Sequence, residues 1–322
     1  MTTVQAELQQ STENLKSIKA FGLALQEDNT DEAFNQFNEL WRRSVDALND
    51  LQDEPAWENL TRSDFVNHRV RLPFTNSVPA KALRCTVVLA SISQLLVPEI
   101  FRVVHFIDED TELRQELYFL AQDNPGKEAF LRALLISLND QQERDLHIKF
   151  ATQQTYKQVK ELLEPDIAER FRANVESIFR DAAHLWRRLQ ANKRHYDADL
   201  EIPDDQSLVW KAIQLSNTEL KIDEQDATMK AFSPDEVELR VFPRVYVVGQ
   251  REDVPVFPGR VLQQSQTTAA RQEIEQAQSS TPSTGNTTAK VERRRMSLYM
   301  KSQSQEQNGG AFLGSNAVRA KS

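Results

Sequence analysis

The chain has 322 residues, 39% of them apolar and 27% charged, and a formal net charge of −9. Eight glycines and twelve prolines exclude a collagen-like or Gly/Pro-driven chain, and one cysteine excludes a disulfide scaffold or a cysteine-built zinc site. The length suffices for one large or two small domains with a core.

In chain order, Val4, Leu8, Leu15, Ile18 and Leu25 recur on a 4-3 spacing, with Ser11 and Gly22 in the gaps. Asp28, Asn29 and Thr30 then supply turn and N-cap chemistry, and Glu32 stands three residues after Asn29. A second helix carries Phe34, Phe37, Trp41, Leu48 and Leu51 on the same spacing, with Ser44 at the remaining position. Two such helices read as an antiparallel hairpin, with an intermolecular coiled coil as the alternative. Residues 53–78 are mixed and contain Pro55 and Pro73, which predicts a connector with one short helix.

Apolar density peaks from Pro79 to Phe106, where Pro98 divides or kinks the helix. Its most apolar run, Cys85 to Val97, is thirteen residues long. A bilayer takes about twenty, so the run reads as a buried core helix and not as a membrane span. Cys85 is expected to be a small buried side chain there. Further helices are predicted over 110–122 and over 127–139, where Phe130, Leu131, Leu134, Leu135 and Leu138 share one face. The more polar 141–163 follows. Pro165 then fits the first turn of a helix that keeps Phe171, Val175, Ile178, Ala182, Leu185 and Leu189 in strict register, widened by Phe179 and Trp186.

After Tyr196 the pattern changes. Residues 197–236 are acidic and irregular apart from a short apolar patch in which Trp210 reads as a docking anchor. Val237–Val241 alternates with period two, and Val245–Val248 is β-branched and aromatic. A polar turn at Gly249–Asp253 follows, then a return strand over Val254–Leu262 broken by Pro255 and Pro258. A lone hairpin is marginal in water and has to dock on the helices or on a partner. From Gln263 onward the chain is Gln-, Ser- and Thr-rich, with two aromatics in sixty residues. It cannot bury enough surface to offset its ordering entropy.

The expected fold is therefore mainly α. It has a helical hairpin over 1–54, a helical bundle core over 55–196 and an acidic linker over 197–236. A small β element over 237–262 docks on the helical body, and a disordered tail occupies 263–322.

Charge separates body from tail. Residues 263–322 hold eight Lys/Arg against four acids, a net of +4, which leaves −13 on residues 1–262. An acidic body repels phosphate backbones, which argues against nucleic-acid binding by the body. With one thiol and a polar N-terminus, the expected compartment is intracellular and reducing, the cytoplasm rather than the nucleus.

Chemistry-bearing motifs are sparse. Only Gly22, Gly126, Gly249 and Gly259 precede the tail, so neither a P-loop nor a dinucleotide fingerprint is present, and G-x-S-x-G is absent. Asp181/His184, Glu143/His147 and His105/Asp108 stand at helical i, i+3 or i, i+4 spacing, but no Glu-x-x-His occurs. In an acid-rich helical chain such pairs arise by chance, and no metal or cofactor is expected.

The sharpest local signal is Arg293-Arg294-Arg295-Met296-Ser297-Leu298, which resembles the substrate consensus of basophilic kinases. Arg293, Arg294 and Arg295 are the candidate kinase or partner contacts. Phosphorylation of Ser297 would add about −1.5 to −2 charge to a basic cluster.

The leading expectation is a non-catalytic interaction or adaptor protein with protein partners, a basophilic kinase among them, and a phospho-regulated tail. Two other classes stay open. One is an α-helical enzyme or ligand-binding bundle, with His105 and His184 facing a pocket between the 79–106 helices and the 166–193 helix. The other is a homo-oligomeric structural protein assembled through residues 4–52.

Overall fold

The computed structural model describes residues 25–27, 29–49, 77–105, 111–138, 140–160, 163, 165–202, 209–213 and 236–268, with 271, 272, 275 and 276. Residues 4–24 of the first helix expected over 4–27, most of the connector expected over 53–78, most of the acidic stretch and the Ser297 segment lie outside these residues; at 25–27 the expected helix is replaced by extended chain, in which Gln26 forms a β-bridge with Asn192. The described chain is helix-rich with two small sheets.

Among the described residues six α-helices carry the body: α1 (Thr30–Asn49), α2 (Val78–Leu95), α3 (Thr111–Asp123), α4 (Pro125–Leu138), α5 (Gln141–Val159) and α6 (Pro165–Gln190). Their starts follow from local chemistry. The Asn29 side chain accepts from Glu32 N (3.1 Å), Ser77 from Ala80 N (3.3 Å), Asn124 from Lys127 N (3.1 Å) and Asp140 from Gln142 N (3.1 Å). Pro125 and Pro165 occupy first-turn positions, where a missing N–H costs nothing.

Pro98 does not divide the helix, which runs on from α2 through it to Ile100. Lacking an N–H, it cannot continue the α ladder, and the chain widens into a π turn over Leu96–Ile100 closed by Phe101 N to Leu96 O (2.7 Å). The span Val78–Ile100 is long and apolar enough to cross a bilayer, yet 78% of its most apolar window is buried inside the fold. A helix buried on nearly every side is the centre of a bundle.

Helix α6 buries the face its spacing predicts: Phe171, Val175, Ile178, Phe179, Ala182, Leu185, Trp186 and Leu189. Helix α1 buries Phe37, Trp41, Ser44 and Leu48 within the body, against α6, α2 and the β element. Phe37 meets Phe101 edge-on at 5.9 Å, and Trp41 meets Phe242 at 5.3 Å. An oligomer through residues 4–52 therefore cannot use this seam.

The β element is larger than a hairpin. It contains β1 (Tyr196–Asp199), β2 (Trp210–Ala212), β3 (Val237–Phe242), β4 (Arg244–Val247), β5 (Val254–Phe257) and β6 (Gly259–Gln263). They form two three-stranded sheets, β1-β4-β5 and β2-β6-β3, the β2–β6 pair parallel and the others antiparallel. Pro258 separates β5 from β6, as the sequence suggests, whereas Pro255, expected to break the strand as well, lies inside β5 opposite Tyr246.

Two boundaries differ from expectation. The acidic stretch begins inside the fold, because the buried Asp197 and the half-buried Asp199 are each neutralised by an arginine, Arg114 and Arg244. The fold also extends past 262: Gln264–Thr267 forms a 3-10 turn, Thr267 is buried, and the Gln266 side chain donates to Ile213 O. Trp210 is indeed an anchor, 2% exposed and packed on Val261.

Candidate functional site

Three polar constellations stand out among the described residues. The first lines a cleft of about 450 Å3 walled by Tyr118 and Gln122 of α3, Arg244 and Tyr246 of β4, and the turn Arg251–Asp253. Tyr118 Oη donates to Asp253 Oδ2 (3.1 Å), and Asp253 Oδ1 accepts from Gly249 N (3.3 Å), which fixes the β4–β5 turn. Tyr246 Oη donates to Asp197 Oδ2 (3.2 Å), whose other oxygen takes two bonds from Arg114. Arg244 binds both oxygens of Asp199 (2.8 and 2.9 Å) and lies 4.8 Å over the Tyr246 ring.

Burial, reinforced by Asp253, pushes the Tyr118 phenol up to about 12. Burial, with Asp197 and Asp199, pushes Tyr246 further still. Both hydroxyls are therefore fixed donors at neutral pH and unsuited to act as bases. Burial opposes charge on Arg114 and Arg244, but Asp197 and Asp199 outweigh it and hold both guanidiniums ionised.

The phenol ordinarily ionises near 10, so the folded chain holds these protons more tightly than the unfolded chain. The stability they contribute is present below that value and is lost as pH rises toward about 12. Burial also raises the phenols of Tyr156 and Tyr196, and beside them absorbance at 295 nm during alkaline titration should show late phenolate ionisation whose amplitude falls with Tyr118→Phe and with Tyr246→Phe. Ionisation of both near the ordinary value would contradict this wiring.

The second constellation is fully interior. Glu128 and Arg132 of α4 are 1% and 0% exposed and pair across one helical turn at 2.7 Å. His195 Nδ1 lies 2.7 Å from Glu128 Oε1. Arg132 also donates to Gln190 O, Asn192 O (2.9 Å) and Lys193 O (3.2 Å), satisfying carbonyls that the end of α6 leaves without helical partners. Burial would raise the Glu128 carboxyl, but the hydrogen bonds from His195 and Arg132 hold it below the usual carboxylate range. The cluster is a sealed structural joint between α4 and α6.

The third joins the π turn to α5. His147 Nδ1 lies 2.8 Å from Glu99 Oε2, its Nε2 lies 3.2 Å from His105 O, and the two histidine rings meet at 5.1 Å. Beside it, between the α2 region and α6, the cavity holds only about 20 Å3, and His105 lines it while His184 does not. His184 is exposed on α6, so the pair expected to share a pocket is not brought together. Asp181 instead pairs with Arg43. Asp108, His68, Ser297, Arg293, Arg294 and Arg295 lie outside the described residues. No group of three or more His, Cys, Asp or Glu among the described residues is placed to hold a metal. Cys85 is buried, its thiol pushed up to about 12 by burial.

The surface of α4 is the least expected feature. The stripe Phe130, Leu131, Leu134, Leu135, Leu138 has the spacing of a core face, yet Phe130 is 40%, Leu131 38% and Leu138 70% exposed, while Leu134 is half-buried and the half-buried Leu135 packs on the cluster of Val103, Val104, Leu117 and Ile136. The opposite side, with Glu128 and Arg132, points inward. Of the three charges on α4, only Lys127 is exposed. Phe119 of α3 and Leu146 and Phe150 of α5 are exposed as well.

Comparison of the chain with protein-family models, with curated proteins and with solved structures gives no match in any of the three.

Proposed function

We propose that this chain is a non-catalytic interaction protein: a helical adaptor body whose outward α4 stripe docks a protein partner and whose tail is controlled at Ser297. One observation carries the reading. Helix α4 keeps its ion pair inside and leaves Phe130, Leu131 and Leu138 open to solvent, and exposed apolar side chains grouped in this way mark an interaction site. The cleft chemistry agrees, since Tyr118, Tyr246 and Arg244 are each bound to an aspartate there, an arrangement that fixes the β element. The excess of basic over acidic residues in the tail gives a kinase or an acidic partner its contact, with Arg293, Arg294 and Arg295 beside Ser297.

The test is quantitative affinity purification of the full chain beside Leu131→Glu/Leu138→Glu and beside an Arg293→Ala/Arg294→Ala/Arg295→Ala variant. The expected result is a stoichiometric partner that the first variant loses and the second binds more weakly, with helical circular dichroism unchanged in both. An unchanged set of co-purifying proteins across all three chains overturns the reading.

A further inference from the structure

Three arginines of this fold each face a carboxylate: Arg114 meets Asp197, Arg132 meets Glu128 and Arg244 meets Asp199. The small cavity between the α2 region, α5 and α6 is built differently. Arg102, which follows the π turn, Arg144 of α5 and Arg187 of α6 line it together with His105 and Gln190, and no Asp or Glu stands among its described walls. In a chain of net charge −9 this gathering of like charge is a local inversion. Arg102 and Arg144 are 6% and 7% exposed, whereas Arg187 is open to solvent. The buried Trp186 ring beside them keeps the surroundings apolar, which strengthens the field of the guanidiniums.

Arg144 feels the gathering directly. Burial and the charge of Arg187 weaken its hold on its proton, and Asp145 and Asp140 do not make up the difference. One hydrogen bond from its Nη2 goes to a neutral group, the amide oxygen of Gln141 (2.7 Å). Gln190 supplies an independent sign. Its Nε2 donates to Tyr196 O (2.9 Å), which leaves Oε1 as the acceptor, and that oxygen is buried without a hydrogen-bond partner in a residue 2% exposed. A buried acceptor without a donor is costly, so this wall calls for a group that brings one. The cavity, about 20 Å3, has room for one water or for one oxygen of a ligand entering past Arg187.

We propose that this cavity binds the phosphate group of a ligand, with one protonated oxygen inside donating to Gln190 Oε1 and the other oxygens held by the guanidiniums of Arg144 and Arg187. An ionised carboxylate would satisfy the arginines but has no proton for Gln190. A phosphate group, whose second ionisation falls at about pH 6, offers both. A small phosphate compound and a phosphorylated side chain of another protein share this chemistry.

Equilibrium dialysis of the full chain at about pH 6 and constant ionic strength tests it, with inorganic phosphate and the blocked tripeptide acetyl-Ala-phosphoSer-Ala-amide as probes. The expected result is one probe bound per chain. Arg187→Gln should weaken it about tenfold, while Arg188→Gln, exposed on the same helix, should change it by less than about twofold. Both positions are open to solvent, so neither variant threatens the fold. Tighter binding of the free ion supports a small phosphate compound as the ligand, and tighter binding of the peptide supports a phosphorylated side chain. Failure of both probes to bind, or equal weakening by Arg187→Gln and Arg188→Gln, overturns the proposal.

Discussion

Replacing Arg132 with methionine is expected to destabilise the protein by about 3–5 kcal/mol, measured by urea unfolding at pH 7. The guanidinium is fully buried and serves Glu128 together with three carbonyls past the end of α6. Its removal leaves a buried carboxylate held by His195 and leaves carbonyls without donors. The volume of methionine is similar, so the loss reports unpaired polar groups rather than a cavity.

A Glu128→Leu/Arg132→Met double variant should recover part of the loss, because the two side chains act as one unit. The pH dependence has a definite sign. Glu128 is held below its ordinary value of 4.5, so the stability it contributes is present above that value and lost as the pH falls below it. The gap between the native chain and Arg132→Met should therefore narrow in acid. A loss under about 1 kcal/mol at pH 7 would contradict the sealed-joint reading.

Gly259→Ala is expected to cost about 3 kcal/mol, at the upper end for overpacking. Gly259 opens β6 directly beside Trp210 of β2, and a Cβ placed there would stand 2.3 Å from two carbons of the indole. Neither strand can retreat freely. Trp210 is almost fully buried, and among the described residues the three-residue β2 pairs only with β6. Trp210→Ala removes the anchor itself and should cost about 3–5 kcal/mol. Gly259→Ala/Trp210→Leu should be milder than the sum, since the smaller side chain makes room for the new methyl. Strict additivity in thermal or urea unfolding would mean the two residues do not share that contact.

Much of the helical architecture is legible in the sequence. The seam of α6 can be read residue by residue, because a long stripe at constant spacing has one consistent partner, the core. The Asn29/Glu32 cap and the break at Pro258 are equally plain, since each is set by local chemistry.

What the sequence hides depends on residues far apart in the chain. Asp197 and Asp199 read as linker acids because their arginines stand 83 and 45 residues away. The cleft joins α3 to β4 and to the Arg251–Asp253 turn without any motif.

Helix α4 misleads for a different reason. Glu128 and Arg132 at i, i+4 look like an ordinary surface pair, and the leucines opposite look like core. Only the bare carbonyls past α6 and the ring of His195, both distant in sequence, make the polar side the inward one. The adaptor reading rests on that reversal.

The orientation of α4 is tested most directly by the unfolding midpoint of a full chain carrying Leu131→Lys and Leu138→Lys. If the leucines face outward, as described, each lysine should change stability by about 0.5 kcal/mol or less and the body should unfold as the native chain does. A loss of several kcal/mol would place the leucines in the core, and the docking surface with them would be gone.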